Sequence, residues 1–186
     1  LFLTKRAMLS PNQEGYVDGN ATIRLSFSEL NVRANRLANA LRSAKVQKGE
    51  RIGFLLMNSV EFMEAYFAAA KIGAVAVPLN WRLVPDELEF ILSDSGTTRL
   101  IFGEEFISTA TELHARGGKT DIKRWLQVTS NSDLAPFAES YQEFRDAADA
   151  SDPVIGASGD DMLYIMYTSG TTGLPKGVVH SHNTSM

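Results

Sequence analysis

The sequence predicts an α/β fold: helices layered on a mostly parallel sheet. Three observations carry this. Short, continuous apolar runs, such as "RIGFLLM" (51–57) and "TRLIF" (98–102), have the length and character of strands covered on both faces. Between them lie longer stretches in which apolar residues recur at helical spacing. Glycine, proline or asparagine punctuates most boundaries, so the order reads as strand and helix in alternation.

From the beginning, "LFLTKRAMLSP" reads as a short amphipathic helix ended by Pro11. Its apolar start is too short for the core of a signal peptide. "GYVDGNATIRLSF" (15–27) reads as a hairpin turning on Asp18-Gly19-Asn20. Ser26 and Glu29 have the spacing of a capping box. Leu30, Ala34, Leu37, Ala38 and Leu41 form the stripe of the next helix, with Arg33, Arg36 and Arg42 off it. Lys48-Gly49 closes the unit before the strand at 51–57.

Asn58 is the expected cap of the second long helix. There Val60, Met63, Phe67 and Ala70 share a face, widened by Phe62 and Tyr66; this aromatic stripe reads as core rather than as a ligand channel. Gly73 ends it, and "AVAVPL" (74–79) is strand. Trp81 and Arg82 read as a packed connection. Pro85, Asp86 and Glu87 suit a helix's first turn. Leu88, Ile91 and Leu92 give its stripe, and Gly96 stops it. A polar helix is expected around 105–116 and a strand near 124–128. Residues 131–160, rich in Ser, Asp, Pro, Gly and Ala, read as a linker carrying a short helix around Phe137, Tyr141 and Phe144. "MLYIMY" (162–167) is the next buried strand, and "VVHSH" (178–182) looks like another.

Bulk numbers exclude several functions. The chain has 186 residues, 44% hydrophobic and 22% charged, enough to bury a core. A net charge of -4 leaves no basic excess for a nucleic-acid backbone. No cysteine is present, so there is neither disulfide framework nor thiolate metal site, which fits a reducing, cytoplasmic setting. No apolar run approaches the ~20 residues of a membrane span.

The chemistry concentrates in "YTSGTTGLPKGVVHSH" (167–182). Polyphosphate asks for close backbone N–H groups, hydroxyl donors and a cation. Gly170 and Gly173 permit close approach. Thr168, Ser169, Thr171 and Thr172 supply hydroxyls, and Lys176, beside the rigid Pro175, supplies the charge. A solvated Gly/Ser/Thr loop is the plain alternative. The position after an apolar strand, where such folds bind ligands, favours phosphate. The common P-loop does not match, since here the lysine follows proline and leads into a strand rather than a helix.

Thr168 to Gly177 resemble the signature loop of the adenylate-forming superfamily, which includes acyl- and aryl-CoA synthetases, luciferases and peptide-synthetase adenylation domains. "LSFSELNVRANRLANAL", "NSVEFMEAYFAAAKIGAVAVPLNWRLVPDELEFILSDS" and "GDDMLYIMYTSGTTG" extend the resemblance to the amino-terminal part of fatty-acyl-CoA synthetases. The resemblance implies an AMP-binding domain, present in part over residues 1–186, and a layered parallel-sheet subdomain of its large domain. It implies a two-step ligase using ATP, Mg2+ and CoA on a carboxylic acid, a fatty acid first and an aryl acid next. It implies that Ser169, Gly170, Thr171, Thr172, Gly173 and Lys176 touch phosphate and that Thr168 is the magnesium-associated hydroxyl. The superfamily's downstream glutamate, ribose-binding aspartate and carboxy-terminal lysine have no counterpart here. The chain therefore holds no catalytic residue of its own and is expected to be an inactive amino-terminal portion of a longer enzyme. A non-catalytic nucleotide-binding module is the rival from another class. Peripheral membrane contact and homo-oligomerisation stay open. Of the remaining polar groups, His180 and His182 read as polar neighbours of the site rather than a metal pair, and Asp160-Asp161 as a solvated turn.

Overall fold

Ser26 starts the longest helix. Its Oγ accepts from the Glu29 N–H at 3.2 Å, while Glu29 Oε2 accepts from the Ser26 N–H at 2.8 Å. Two donors that the helix start would leave unpaired are thus satisfied reciprocally, as the S-x-x-E spacing predicts. The structure is a computed structural model and describes residues 2–19, 22–130, 133–154, 156–168 and 174–185.

In chain order, α1 (Phe2–Leu9) leads to a small antiparallel pair, β1 (Glu14–Val17) and β2 (Arg24–Ser26). Asp18 ties the connecting turn, accepting from Thr22 Oγ1 at 2.5 Å and the Ile23 N–H at 3.2 Å; Asn20 lies outside the described residues. Then come α2 (Phe27–Ser43), β3 (Arg51–Leu55), α3 (Val60–Ile72), β4 (Val75–Pro78), α4 (Pro85–Asp94) and β5 (Thr97–Gly103). A 3-10 turn over Glu104–Phe106 opens into α5 (Ile107–Ala115), succeeded by β6 (Arg124–Val128), β7 (Glu139–Ser140), α6 (Tyr141–Asp146), β8 (Met162–Thr168) and β9 (Lys176–Ser181).

Seven strands form one sheet in the order β7-β6-β5-β3-β4-β8-β9. All neighbours are parallel except β8 and β9, which form an antiparallel pair at one edge. Side chains alternate across the strands, so each strand feeds two cores. Ala76, Ile101 and Leu126 meet α2, α3 and Tyr141 on one face. Val75, Val77, Leu100, Phe102 and Trp125 meet Leu88, Ile91 and Leu92 of α4 and Leu113 of α5 on the other. This double coverage is why the strands read as continuous apolar runs. Each fully buried Leu, Ile or Phe contributes about 1.5–3 kcal/mol relative to exposure.

Several local expectations need correction. The cap of α3 is Ser59, not Asn58: Ser59 Oγ accepts from the Phe62 N–H at 3.3 Å. Trp81 is not packed in the core. It is exposed, with the Arg82 guanidinium 4.1 Å from its ring. β8 is not buried throughout, because it is covered only in part near the sheet edge: Met162 and Met166 are 40% and 42% exposed.

The stretch 131–160 contains the expected short helix, α6, but the segment 146–152 after it is fastened rather than slack. Arg36 donates to the Asp146 and Ala148 carbonyls, Asn39 to those of Asp149 and Ser151, and Asn35 to the Ala150 carbonyl and the Asp152 carboxylate. The polar face of α2 is therefore a rail for this segment. Buried Glu64 adds a second tie, accepting from Tyr141 Oη at 2.8 Å, Arg145 Nη1 at 2.9 Å and Arg33.

Candidate nucleotide-binding site

β8 and β9 run antiparallel with Thr168 directly opposite Lys176. Two of the residues singled out for phosphate binding thus face each other at the carboxyl end of β8 and the start of β9. Both are exposed, as ligand groups must be. Among the described residues Lys176 has no carboxylate partner, so its ammonium is not neutralised by any of them. The other five expected phosphate contacts, Ser169, Gly170, Thr171, Thr172 and Gly173, lie outside the described residues.

The facing ends of β8 and β9 are braced by contacts that the Gly/Ser/Thr/Lys pattern did not announce. Tyr167, one residue before Thr168, donates its hydroxyl to Asp94 Oδ2 at 2.5 Å, joining β8 to the end of α4. Burial, and then the hydrogen bond to Asp94, push the Tyr167 phenol well above its ordinary pKa, so it stays a donor at neutral pH. Across the ladder from Tyr167 sits Gly177. A Cβ there would lie 2.9 Å from Ile165 Cγ2 and 3.1 Å from Tyr167 Cζ. Glycine at 177 therefore lets the Tyr167 ring lie against the partner strand and reach Asp94. One signal did exist: Asp94 is an acid in the last turn of a helix, where the dipole disfavours it by about 0.3–1 kcal/mol, so a compensating partner is expected.

At the far end of β8, Asp161 accepts from the Ser158 N–H and Oγ at 2.5 and 2.9 Å and pairs with Lys48 Nζ at 2.6 Å. Asp160 accepts from Asn183 Nδ2 at 2.9 Å. The two acids hold a turn together, as expected. His180 stacks on Tyr164, with centroids 4.5 Å apart, whereas His182 is buried. Among the described residues no cluster of three His, Cys, Asp or Glu is placed to hold a metal. No helix among the described residues is long and apolar enough to cross a membrane.

Comparison with known proteins shows the family. The family described as "AMP-binding enzyme" matches residues 3–186. A long-chain-fatty-acid–CoA ligase, FadD13, of Mycobacterium tuberculosis is 41% identical over 183 residues, covering 98% of this chain and 34% of the relative. A 3-hydroxybenzoate–CoA/4-hydroxybenzoate–CoA ligase of Thauera aromatica is 34% identical over 160 residues, covering 86% of this chain and 30% of the relative. Among solved structures, the N-terminal domain of FACL13 from Mycobacterium tuberculosis superposes with a TM-score of 0.86 at 40% identity, over 97% of this chain and 43% of that one. The chain spans about a third of the length of these curated relatives.

Proposed function

The chain belongs to the AMP-binding enzyme family, and from that premise we propose that it is the amino-terminal, phosphate-gripping portion of an ATP-dependent carboxylate–CoA ligase. The pairing of Thr168 with Lys176 at the carboxyl end of β8 is the observation that carries the reading. It puts a hydroxyl and an exposed cation at one mouth, where the β- and γ-phosphates of ATP need both.

The reaction has two balanced steps. An oxygen of the acid's carboxylate attacks the α-phosphorus of ATP; the α–β phosphoanhydride bond breaks and pyrophosphate leaves, giving acyl-AMP. The thiol of CoA, losing its proton, then attacks the acyl carbon; the acyl–phosphate bond breaks, AMP leaves and a thioester remains. Magnesium, when bound, neutralises phosphate charge in the first step. Lys176 would hold the departing pyrophosphate as its charge develops, and Thr168 would orient the phosphate and its metal. Ser169, Gly170, Thr171, Thr172 and Gly173 complete the grip in this reading. Tyr167 and Gly177 keep the two stems in register.

A fatty acid is the first substrate proposed, on the 41% identity to a long-chain-fatty-acid–CoA ligase. An aryl acid is the second, on the hydroxybenzoate relative. Acid-dependent exchange of labelled pyrophosphate into ATP tests the reading on the whole protein that carries this chain. Exchange with dodecanoate above that with 4-hydroxybenzoate supports the fatty-acid reading; the reverse supports the aryl one. No exchange with any carboxylate removes the ligase.

A further inference from the structure

β8 joins the sheet at one level only. Its register with the parallel neighbour β4 contains a single pair, Ala76 with Tyr164. Beyond that pair its ladder partners among the described residues all lie on β9: Ile165 opposite Val179, Met166 opposite Val178, Tyr167 opposite Gly177 and Thr168 opposite Lys176. Ile165 is still buried in the core. Past it, ladder bonds to β4 do not set the direction of the β8–β9 ribbon, and two-stranded ribbons twist over a wide range.

A side chain sets that direction instead. Tyr167 Oη donates to Asp94 Oδ2 at 2.5 Å. Asp94 stands on a fixed base. The next residue, Ser95, is buried; its Oγ lies 2.8 Å from Thr97 Oγ1, and its carbonyl accepts from Arg51 Nε at 2.5 Å. Arg51 and Thr97 begin β3 and β5, which are neighbours inside the sheet. Contacts thus run from inner strands through Asp94 and Tyr167 to the ladder pair beside Thr168 and Lys176. The Tyr167 ring has little room to swing, since a Cβ at Gly177 would lie 3.1 Å from its Cζ.

We propose that Asp94 is a positioning residue for nucleotide binding. Through Tyr167 it latches the far end of the β8–β9 ribbon, so that Thr168 and Lys176 meet the phosphates in one orientation. This role rests on the phosphate-gripping reading of those two residues, and it belongs to a residue outside the motif that carries them. Without the latch the ribbon end samples several orientations, and only the fraction that presents both groups binds. Apparent affinity falls by that fraction, whereas saturating nucleotide selects the competent orientation and restores the rate.

The test is exchange of labelled pyrophosphate into ATP by the whole protein that carries this chain, with the acid that supports the fastest exchange. Asp94→Ala and Tyr167→Phe each remove one hydrogen bond to a charged acceptor, so the KM for MgATP should rise about three- to tenfold. Asp94→Asn keeps an acceptor and should show a smaller rise. The KM for the acid and the rate at saturating MgATP should match those of the parent. Combining Asp94→Ala with Tyr167→Phe should be no worse than either alone, because both remove the same bond. A merely structural role gives the opposite split: less folded protein lowers the maximal rate and leaves the KM for MgATP alone. That split, a KM for MgATP equal to the parent's, or full additivity in the double variant would each overturn the latch. No exchange by the parent would strike the ligase reading and the latch together, so the two failures are distinct.

Discussion

Tyr167 and Asp94 are 73 residues apart in the chain and 2.5 Å apart in the fold, the phenol donating to the carboxylate. The bond fixes the carboxyl end of β8 to the end of α4. It also gives the acid at that helix end a compensating partner. Tyr167→Phe should therefore lower stability by roughly 1 kcal/mol. Asp94→Asn, which keeps an acceptor, should lose less. Urea unfolding of the three proteins checks the order.

Gly177 belongs to the same brace. In Gly177→Ala the new methyl must displace Ile165 or the Tyr167 ring. A loss of about 1–3 kcal/mol is expected for such overpacking. Because the methyl acts partly through the Tyr167 ring, its cost should shrink in a Tyr167→Phe background. A double-mutant cycle measures that coupling; strict additivity would mean that the ring does not move.

Much of this fold was legible because local chemistry determined it. Ser26 and Glu29 are three residues apart and cap one helix wherever it packs. The strand at 51–55 reads correctly because helices cover both its faces. Asn58 misled, because the adjacent Ser59 is an equally able cap and only the entry path of the chain decides between them. "MLYIMY" misled because an apolar run does not reveal how near the sheet edge it will lie. The tail of α6 looked like linker since its ties run from α2 side chains to main-chain carbonyls, which carry no sequence signal. At the candidate site, residue type and spacing singled out Thr168 and Lys176, and the β8–β9 register sets the two opposite each other. Their brace was not legible, for it depends on a long-range contact announced only by a misplaced acid at Asp94.

Glu64 supplies a test in the core. Its carboxylate is wholly buried and receives Tyr141, Arg145 and Arg33 from two other helices. Glu64→Ala leaves the buried Tyr141 hydroxyl and Arg145 Nη1 without their acceptor, while Asp146 still pairs with Arg145, so the expected cost is about 1–3 kcal/mol. That is a large share of the ~5–15 kcal/mol that holds a domain together. Glu64→Gln, which retains an acceptor, should unfold at a higher denaturant concentration than the alanine variant.

Asp161 gives a pH signature. The Lys48 ammonium, then the Ser158 N–H and hydroxyl, hold its folded pKa at about 2, below the ordinary 3.8. A carboxylate depressed on folding contributes stability that is fully present above its unfolded pKa and is lost as pH falls through the folded one. The contribution should therefore disappear between about pH 4 and pH 2. Asp161→Asn should lack that component, so its unfolding midpoint should approach that of the parent as the pH drops. A gap that stays constant across the window would contradict the assignment.

The central claim is that the mouth between Thr168 and Lys176 grips polyphosphate. Calorimetric titration of MgATP into the chain and into its Lys176→Met variant tests it most directly. Lys176 is exposed, so the thermal midpoint should not change. Loss of one charge-assisted phosphate contact should weaken binding about tenfold or more. Equal affinity in the two proteins, or no binding by the parent, would contradict the account.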